Sequence, residues 1–252
     1  MVELQKCLEA SEVTLLKNPE SQSLRATQLV VLRSEASGDL TIEVAAGERL
    51  ELVELLTEGG VGATKIVLAE SSSVNATVIH TSESELSCSV ELDGRGAEAE
   101  VNILQLASGE SRVVSSLRLS HNVSDCVSRS LSKCVAAGNS KGIFNGMVYV
   151  AQDAQRTVAE QSSRNILISP TAYIKAEPQL EIYADDVKCT HGATVGQMNE
   201  EAIYYMMQRG LSEEQARRLQ LDGFVAEVSQ SCTIEPLRDA LTEMVRCQLA
   251  KL

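Results

Sequence analysis

The chain has 252 residues, 44% of them apolar but only 3% aromatic, with no Trp and just two phenylalanines, Phe144 and Phe224. Its core must therefore be filled by Val, Ile, Leu and Ala, which suit stacked aliphatic layers better than a ring-centred core. Acidic residues outnumber basic ones 35 to 22, for a net charge of −13. That balance excludes a nucleic-acid footprint and disfavours anionic membranes, while leaving a basic partner surface possible.

The first twenty residues, MVELQKCLEASEVTLLKNPE, carry acids where a secretory signal would be apolar, and Val2–Glu12 is expected to form at most one short helix. From about residue 24 to 190, apolar residues alternate at period two in short bursts, the pattern of strands with one face inward. Leu40-Thr41-Ile42-Glu43-Val44, Leu86–Leu92 and Ala97–Ile103 are examples, and bursts recur every ten to sixteen residues or so. Asn-Gly and Asp-Gly hairpin pairs are confined to Asp93-Gly94 and Asn145-Gly146 within this stretch. Many other links are Ser, Glu and Gly runs such as Glu70–Ser73 and Ala107–Ser111. A sandwich, a barrel and a solenoid all fit regular short strands, and the low aromatic content leans towards a solenoid.

The segment Pro178–Gly196 carries the chemistry. Leu180, Ile182 and Ala184 alternate as a last strand, Asp185-Asp186 breaks it, and Val187, Cys189 and His191 then share one side of an extended segment. A thiolate and an imidazole at i and i+2 can reach one soft metal ion, but two ligands bind weakly without help from elsewhere. The plainer alternative is a packed Cys beside a hydrogen-bonded His. Cys88, Cys126 and Cys134 read as small buried hydrophobes, and His80 and His121 as surface or structural residues. Seven cysteines, widely spaced and without a C-x-x-C, fit neither a disulfide framework nor a zinc knuckle and point to a reducing cytoplasm. No apolar run approaches the ~20 residues of a membrane span.

From residue 199 the period becomes helical. Asn199 caps a helix over Glu200–Arg209 that Gly210 ends, and Ser212 with Gln215 forms a capping box for a helix reaching about Gln230. A third helix from Glu235 carries Leu237, Leu241, Val245 and Leu249 on one stripe, with Pro236 in its first turn. The expected domains are thus a short N-terminal segment (1–23), a β-solenoid (24–198) and a helical domain (199–252).

At the functional segment a family resemblance becomes specific. "LEIYADDVKCTHGATVG" (180–196) resembles the signature of the SufB/SufD family of SUF iron–sulfur cluster assembly proteins. "GIFNGMVYV" (142–150), "QSSRNILIS" (161–169), "KAEPQLEI" (175–182) and "EEAIYYMMQRGLSEEQARRLQLDGF" (200–224) resemble the same family around it. The His-Gly-Ala-Thr form points to the D type, since B-type relatives usually place an acidic residue after that histidine. The resemblance implies a mainly β protein, a right-handed parallel β-helix with a small C-terminal α-helical domain. It also implies a SufB-type paralogue and a SufC-type ABC ATPase as partners, and a homodimer as one state of the isolated chain. Nascent clusters are thought to form at the B–D interface, where the D-subunit histidine falls on His191 with Cys189 beside it. The cargo would be iron or a transient cluster, with nothing held permanently by this chain alone. The ATPase would dock on the C-terminal helices, for which Glu200, Arg209, Gly210, Glu213, Arg217 and Phe224 are the candidate residues. The resemblance also implies a sizeable N-terminal helical region, most of which this sequence is expected to lack, since strand pattern begins within about 25 residues.

Two other classes compete: a β-helix enzyme of the polysaccharide-lyase or acyltransferase type, and a purely structural solenoid. Asp185-Asp186 is the one adjacent Asp pair, and no six-residue aliphatic-Gly repeat is present. There is no G-x-x-x-x-G-K-[ST], so ATP hydrolysis is expected from a partner and the chain itself is expected to be non-catalytic.

Overall fold

Each period-two burst becomes one strand, and successive strands go to alternate sheets. The computed structural model describes residues 13–252; the short helix expected at Val2–Glu12, and Cys7, lie outside the described residues. The described residues open with β1 (Thr14–Lys17), β2 (Gln22–Leu24), β3 (Gln28–Arg33), β4 (Leu40–Val44) and β5 (Arg49–Leu56). It continues through β6 (Gly60–Leu68), β7 (Ser73–His80), β8 (Ser84–Leu92), β9 (Glu98–Ala107) and β10 (Arg112–His121). The last strands are β11 (Val127–Ala136), β12 (Lys141–Val150), β13 (Val158–Leu167), β14 (Tyr173–Ile182) and β15 (Lys188–Gln197). Three helices follow: α1 (Glu200–Gln208), α2 (Glu213–Ser229) and α3 (Glu235–Leu249).

Odd-numbered strands form an eight-stranded sheet and even-numbered strands a seven-stranded one, each in order along the axis. Every ladder is parallel, so the chain is a parallel β-helix with two strands per coil. Among the described residues strand pairing is present from Thr14, ahead of the alternation visible from residue 24, because Thr-Leu-Leu-Lys is too short to display a period.

Strict register stacks equivalent side chains in columns. One lumenal column runs Leu29, Leu52, Ala76, Val101, Ser130, Gln161 and His191 along the odd-strand sheet. Its step lengthens from 23 residues, Leu29 to Leu52, to 30 residues, Gln161 to His191. In the first coils the lumen is aliphatic, with Leu52, Ile66, Val78, Val90 and Leu119 all buried. Each fully buried Leu, Ile or Val stabilises the fold by roughly 1.5–3 kcal/mol relative to exposure.

The two sheets differ in what covers their outer faces. On the even-strand sheet, β8 alternates buried and accessible residues, as a one-sided strand must. On the odd-strand sheet, β5, β7 and β9 are buried almost continuously, because α2 and α3 pack on their outer face. Val53, Leu55, Ile79, Leu104 and Val135 meet Leu237, Leu241, Val245 and Leu249 there, the stripe read from the sequence. Polar contacts fix the docking. Glu51 accepts from Thr233 N at 2.9 Å and from Asn75 Nδ2 at 2.9 Å. Lys133, 3% exposed, donates to the Phe224 carbonyl at 2.7 Å and pairs with Glu227 at 2.5 Å.

Four buried ionisable side chains, Arg33, Glu54, His80 and His121, interrupt the aliphatic lumen. Arg33 and Glu54 form an ion pair at 2.5 Å with both side chains fully buried. Burial pushes the Glu54 carboxyl upward against the pull of Arg33. His80 is fully buried between Ser84 and Ser115, 2.8 Å from each hydroxyl, and burial drives its pKa down to about 3. His121 is also buried, 2.8 Å from the Ser128 hydroxyl, with its pKa lowered to about 4 by burial. Both histidines are structural; neither lies on the surface. Cys88, Cys126 and Cys134 are buried, with their thiols raised by desolvation.

Candidate functional site

The solenoid is open at its C-terminal end. β15 pairs with β13 alone and β14 with β12 alone, so each leaves one edge of backbone N–H and C=O groups without a strand partner. Exposed edges of this kind are templates for association unless something covers them. The lumenal face of the last coil is uncovered too: nine of the ten residues of β15 are exposed, although Ala159, Gln161, Ser163 and Asn165, the lumenal column in β13, are buried. Tyr173, Ile182, Tyr183 and Val195 add exposed apolar area to this end.

Cys189 and His191 lie within β15. The sequence showed an extended segment after Asp185-Asp186; the structure makes it a full strand of the opposite sheet, with the two aspartates in the turn before it. Arg156 N donates to the Asp186 carbonyl at 2.6 Å, and Asp186 N donates to Gln155 Oε1 at 2.9 Å, which sets where β15 begins. Cys189 is half-buried against the lumenal core, stacked on Ala159. Two residues on, His191 shares its lumen-facing side, stacked on Gln161 and exposed to solvent. Burial raises the Cys189 thiol, an effect opposed by a backbone hydrogen bond at Ala159, so the neutral form is favoured until a cation or partner approaches. Among the described residues no group of three or more His, Cys, Asp or Glu side chains converges to hold a metal ion. The pair can offer one soft and one borderline ligand on a strand edge, and a complete coordination sphere needs donors from another chain.

The second candidate region is helical. Asn199 caps α1 by accepting from Ala202 N at 3.0 Å. Gly210, with φ of +97°, takes the left-handed conformation after its last turn. The capping box of α2 forms as expected, with Gln215 N donating to Ser212 Oγ at 3.2 Å and Ser212 N to Gln215 Oε1 at 2.8 Å. Arg217 bridges Glu213 at 2.9 Å and Glu200 at 3.0 Å, binding α2 to α1 across an accessible surface. Arg209 lies over the Tyr205 ring at 4.7 Å. Phe224 stands apart from these residues: it packs inward on the helix–sheet core, its ring 4.6 Å from Lys133 Nζ. Tyr204, Tyr205, Met207 and Leu219 are exposed on the same helices. The run Tyr204-Tyr205-Met206-Met207 was their visible signal, which core packing of Met206 and Met207 could equally have explained.

No described helix is long and apolar enough to cross a membrane. A parallel β-helix open at its C-terminal end, with helices docked on the outer face of one sheet, defines the class: a two-sheet parallel β-solenoid with a helical flank. The sequence profile described as "SUF system FeS cluster assembly, SufBD core domain" matches residues 26–224, and the chain belongs to this SufBD family. The iron–sulfur cluster assembly protein SufD of Escherichia coli is 31% identical over 204 residues, covering 79% of this chain and 48% of that protein. SufD of Bacillus subtilis is 36% identical over 111 residues, covering 44% of this chain and 25% of that protein. A SufBD family protein of Synechocystis is 38% identical over 118 residues, covering 47% of this chain and 26% of that protein. These similarities place the chain with the D type, and it spans about half or less of the length of each of these relatives.

Proposed function

We propose that this chain is a scaffold subunit of a cytoplasmic SUF iron–sulfur cluster assembly complex. Its solenoid end pairs with a SufB-type paralogue, and its helices bind a SufC-type ABC ATPase that supplies the ATP hydrolysis. The solenoid (24–198) and the helical domain (199–252) thus serve different partners. The observation that carries the reading is the uncovered last coil, where two free strand edges and an exposed lumen surround Cys189 and His191. A second solenoid stacked end to end would satisfy both edges and bury the apolar rim. It would also bring foreign donors to His191, whose imidazole is a ligand that suits iron, so iron or a nascent cluster is cargo held between chains. Without the paralogue, the same edges favour a homodimer of this chain.

The ATPase surface is assigned to the α1–α2 face around Glu200, Arg209, Gly210, Glu213 and Arg217, with exposed Tyr204, Tyr205 and Met207 beside it. Phe224 supports that face from beneath. Exchanging Glu213→Arg with Arg217→Glu keeps the pair within α2 but turns residue 217 against Glu200, and ATPase pull-down should weaken with the fold intact. Retained pull-down in this variant, and also after removal of residues 199–252, would overturn the assignment.

The decisive experiment is complementation of a SUF-deficient strain, with complex integrity followed by gel filtration. His191→Ala should abolish or sharply reduce cluster maturation while the complex stays assembled. Cys189→Ser should do less, since packing on the lumenal core accounts for much of that side chain. Normal maturation with His191→Ala would remove the claim for this residue.

A further inference from the structure

The lumen changes character along its axis. Where earlier coils place Val101 and Ile103, the next places Ser130 and Ser132, and the one after places Gln161 and Ser163. The facing sheet shrinks in parallel, from Leu117 to Gly146. A Cβ on Gly146 would lie 2.5 Å from Gln161 Nε2, so the absent side chain is what admits the amide across the lumen. Gln161 is 1% exposed, Ser132 1% and Ser130 5%. Yet Ser130 Oγ, Ser132 Oγ and both amide atoms of Gln161 find no hydrogen-bond partner within the protein.

Leaving a buried polar group unpaired costs about 1–3 kcal/mol. Several such atoms would consume a large part of the roughly 5–15 kcal/mol that holds a domain folded. Buried water relieves this wherever a polar recess offers two to four partners, and these side chains offer that number in adjacent rungs about 4.8 Å apart.

We propose that the lumen of the last coils is a built water site, in which ordered water molecules bridge Ser130, Ser132 and the Gln161 amide, one rung behind His191. The ligand is water itself, retained by two hydroxyls that each donate and accept and by an amide that offers both functions. The site stands on burial and register alone and does not depend on the proposed role of His191.

The test uses the whole chain. In the wild type, water-to-protein NOE spectra should show long-lived cross-peaks from water to the Gln161 side-chain amide protons. An atomic-resolution crystal structure should show ordered water within hydrogen-bonding distance of Gln161 and of at least one of the two serines. Combining Ser130→Ala and Ser132→Ala should abolish those cross-peaks while β13 keeps its register. A dry lumen with the Gln161 amide bonded to protein carbonyls would overturn the proposal, as would cross-peaks unchanged in the double variant. Should the double variant fail to fold, the wild-type spectra and density decide alone.

Discussion

Acid should destabilise this protein through its two buried histidines. The folded-state pKa of His80 is about 3 and that of His121 about 4, in both cases because burial disfavours the imidazolium. In the unfolded chain both titrate near the free value of about 6.5. The unfolded state therefore binds the extra proton, so stability is fully present above about pH 6.5 and is lost as pH falls through the window down to the folded values. Between about pH 8 and about pH 5 each histidine should cost about 2 kcal/mol, about 4 kcal/mol together, a large share of an ordinary domain's stability. Glu54 acts in the opposite sense, since its raised pKa favours proton uptake by the folded state. A variant isolates the histidine term from that background. His80→Gln retains an amide able to meet Ser84 or Ser115, and urea unfolding of wild type and variant at the two pH values gives four free energies. The variant's absolute stability is immaterial; its loss on acidification should be smaller than the wild type's by about 2 kcal/mol. Equal losses in the two proteins would refute the reasoning, and would mean that His80 is solvated or charged in the folded state.

The strands were legible because a two-strand coil imposes period two on each of them, whereas the choice of a solenoid over a sandwich or a barrel rested on the low aromatic content and on the family resemblance. The helices were legible for a local reason: Asn199, Ser212 with Gln215, and Gly210 occupy the cap positions that their side chains and backbone favour. The strand identity of Lys188–Gln197 was harder to read. Its sequence has two glycines and few large apolar residues, because its lumenal face has no further coil to pack against. The same exposure that hides β15 from a pattern search is what makes it a candidate site. The polar column was invisible for a different reason. Ser130, Gln161 and His191 are about thirty residues apart, and only the ladder register places them in one file. Nor could spacing reveal the burial of His80, whose partners Ser84 and Ser115 come from two other strands.

Further tests address the frame that holds the site. Arg33→Met leaves Glu54 buried without its partner and should cost about 3–5 kcal/mol near neutral pH, with the deficit shrinking on acidification as Glu54 takes up a proton; chemical denaturation across pH measures both. Gly94→Ala drives a Cβ into the Ala69–Glu70 backbone of the preceding coil, and thermal unfolding should show a loss of about 1–3 kcal/mol or more, since backbone cannot yield as a side-chain tip can. Lys133→Met bears on how the helices stay docked. Lys133 is almost wholly buried, donates to the Phe224 carbonyl at 2.7 Å and pairs with Glu227, itself accessible enough to be rehydrated. Methionine matches the stem and keeps a contact with the Phe224 ring, so the loss isolates the ammonium. The carbonyl left without a donor should cost about 1–3 kcal/mol. Because the lost contact joins α2 to β11, amide exchange should accelerate in α1–α3 first and leave β9–β13 protected. Uniform acceleration through strands and helices alike would show that Lys133 serves the whole fold and not the docking of the helices, and would refute this account of how the helical face is anchored.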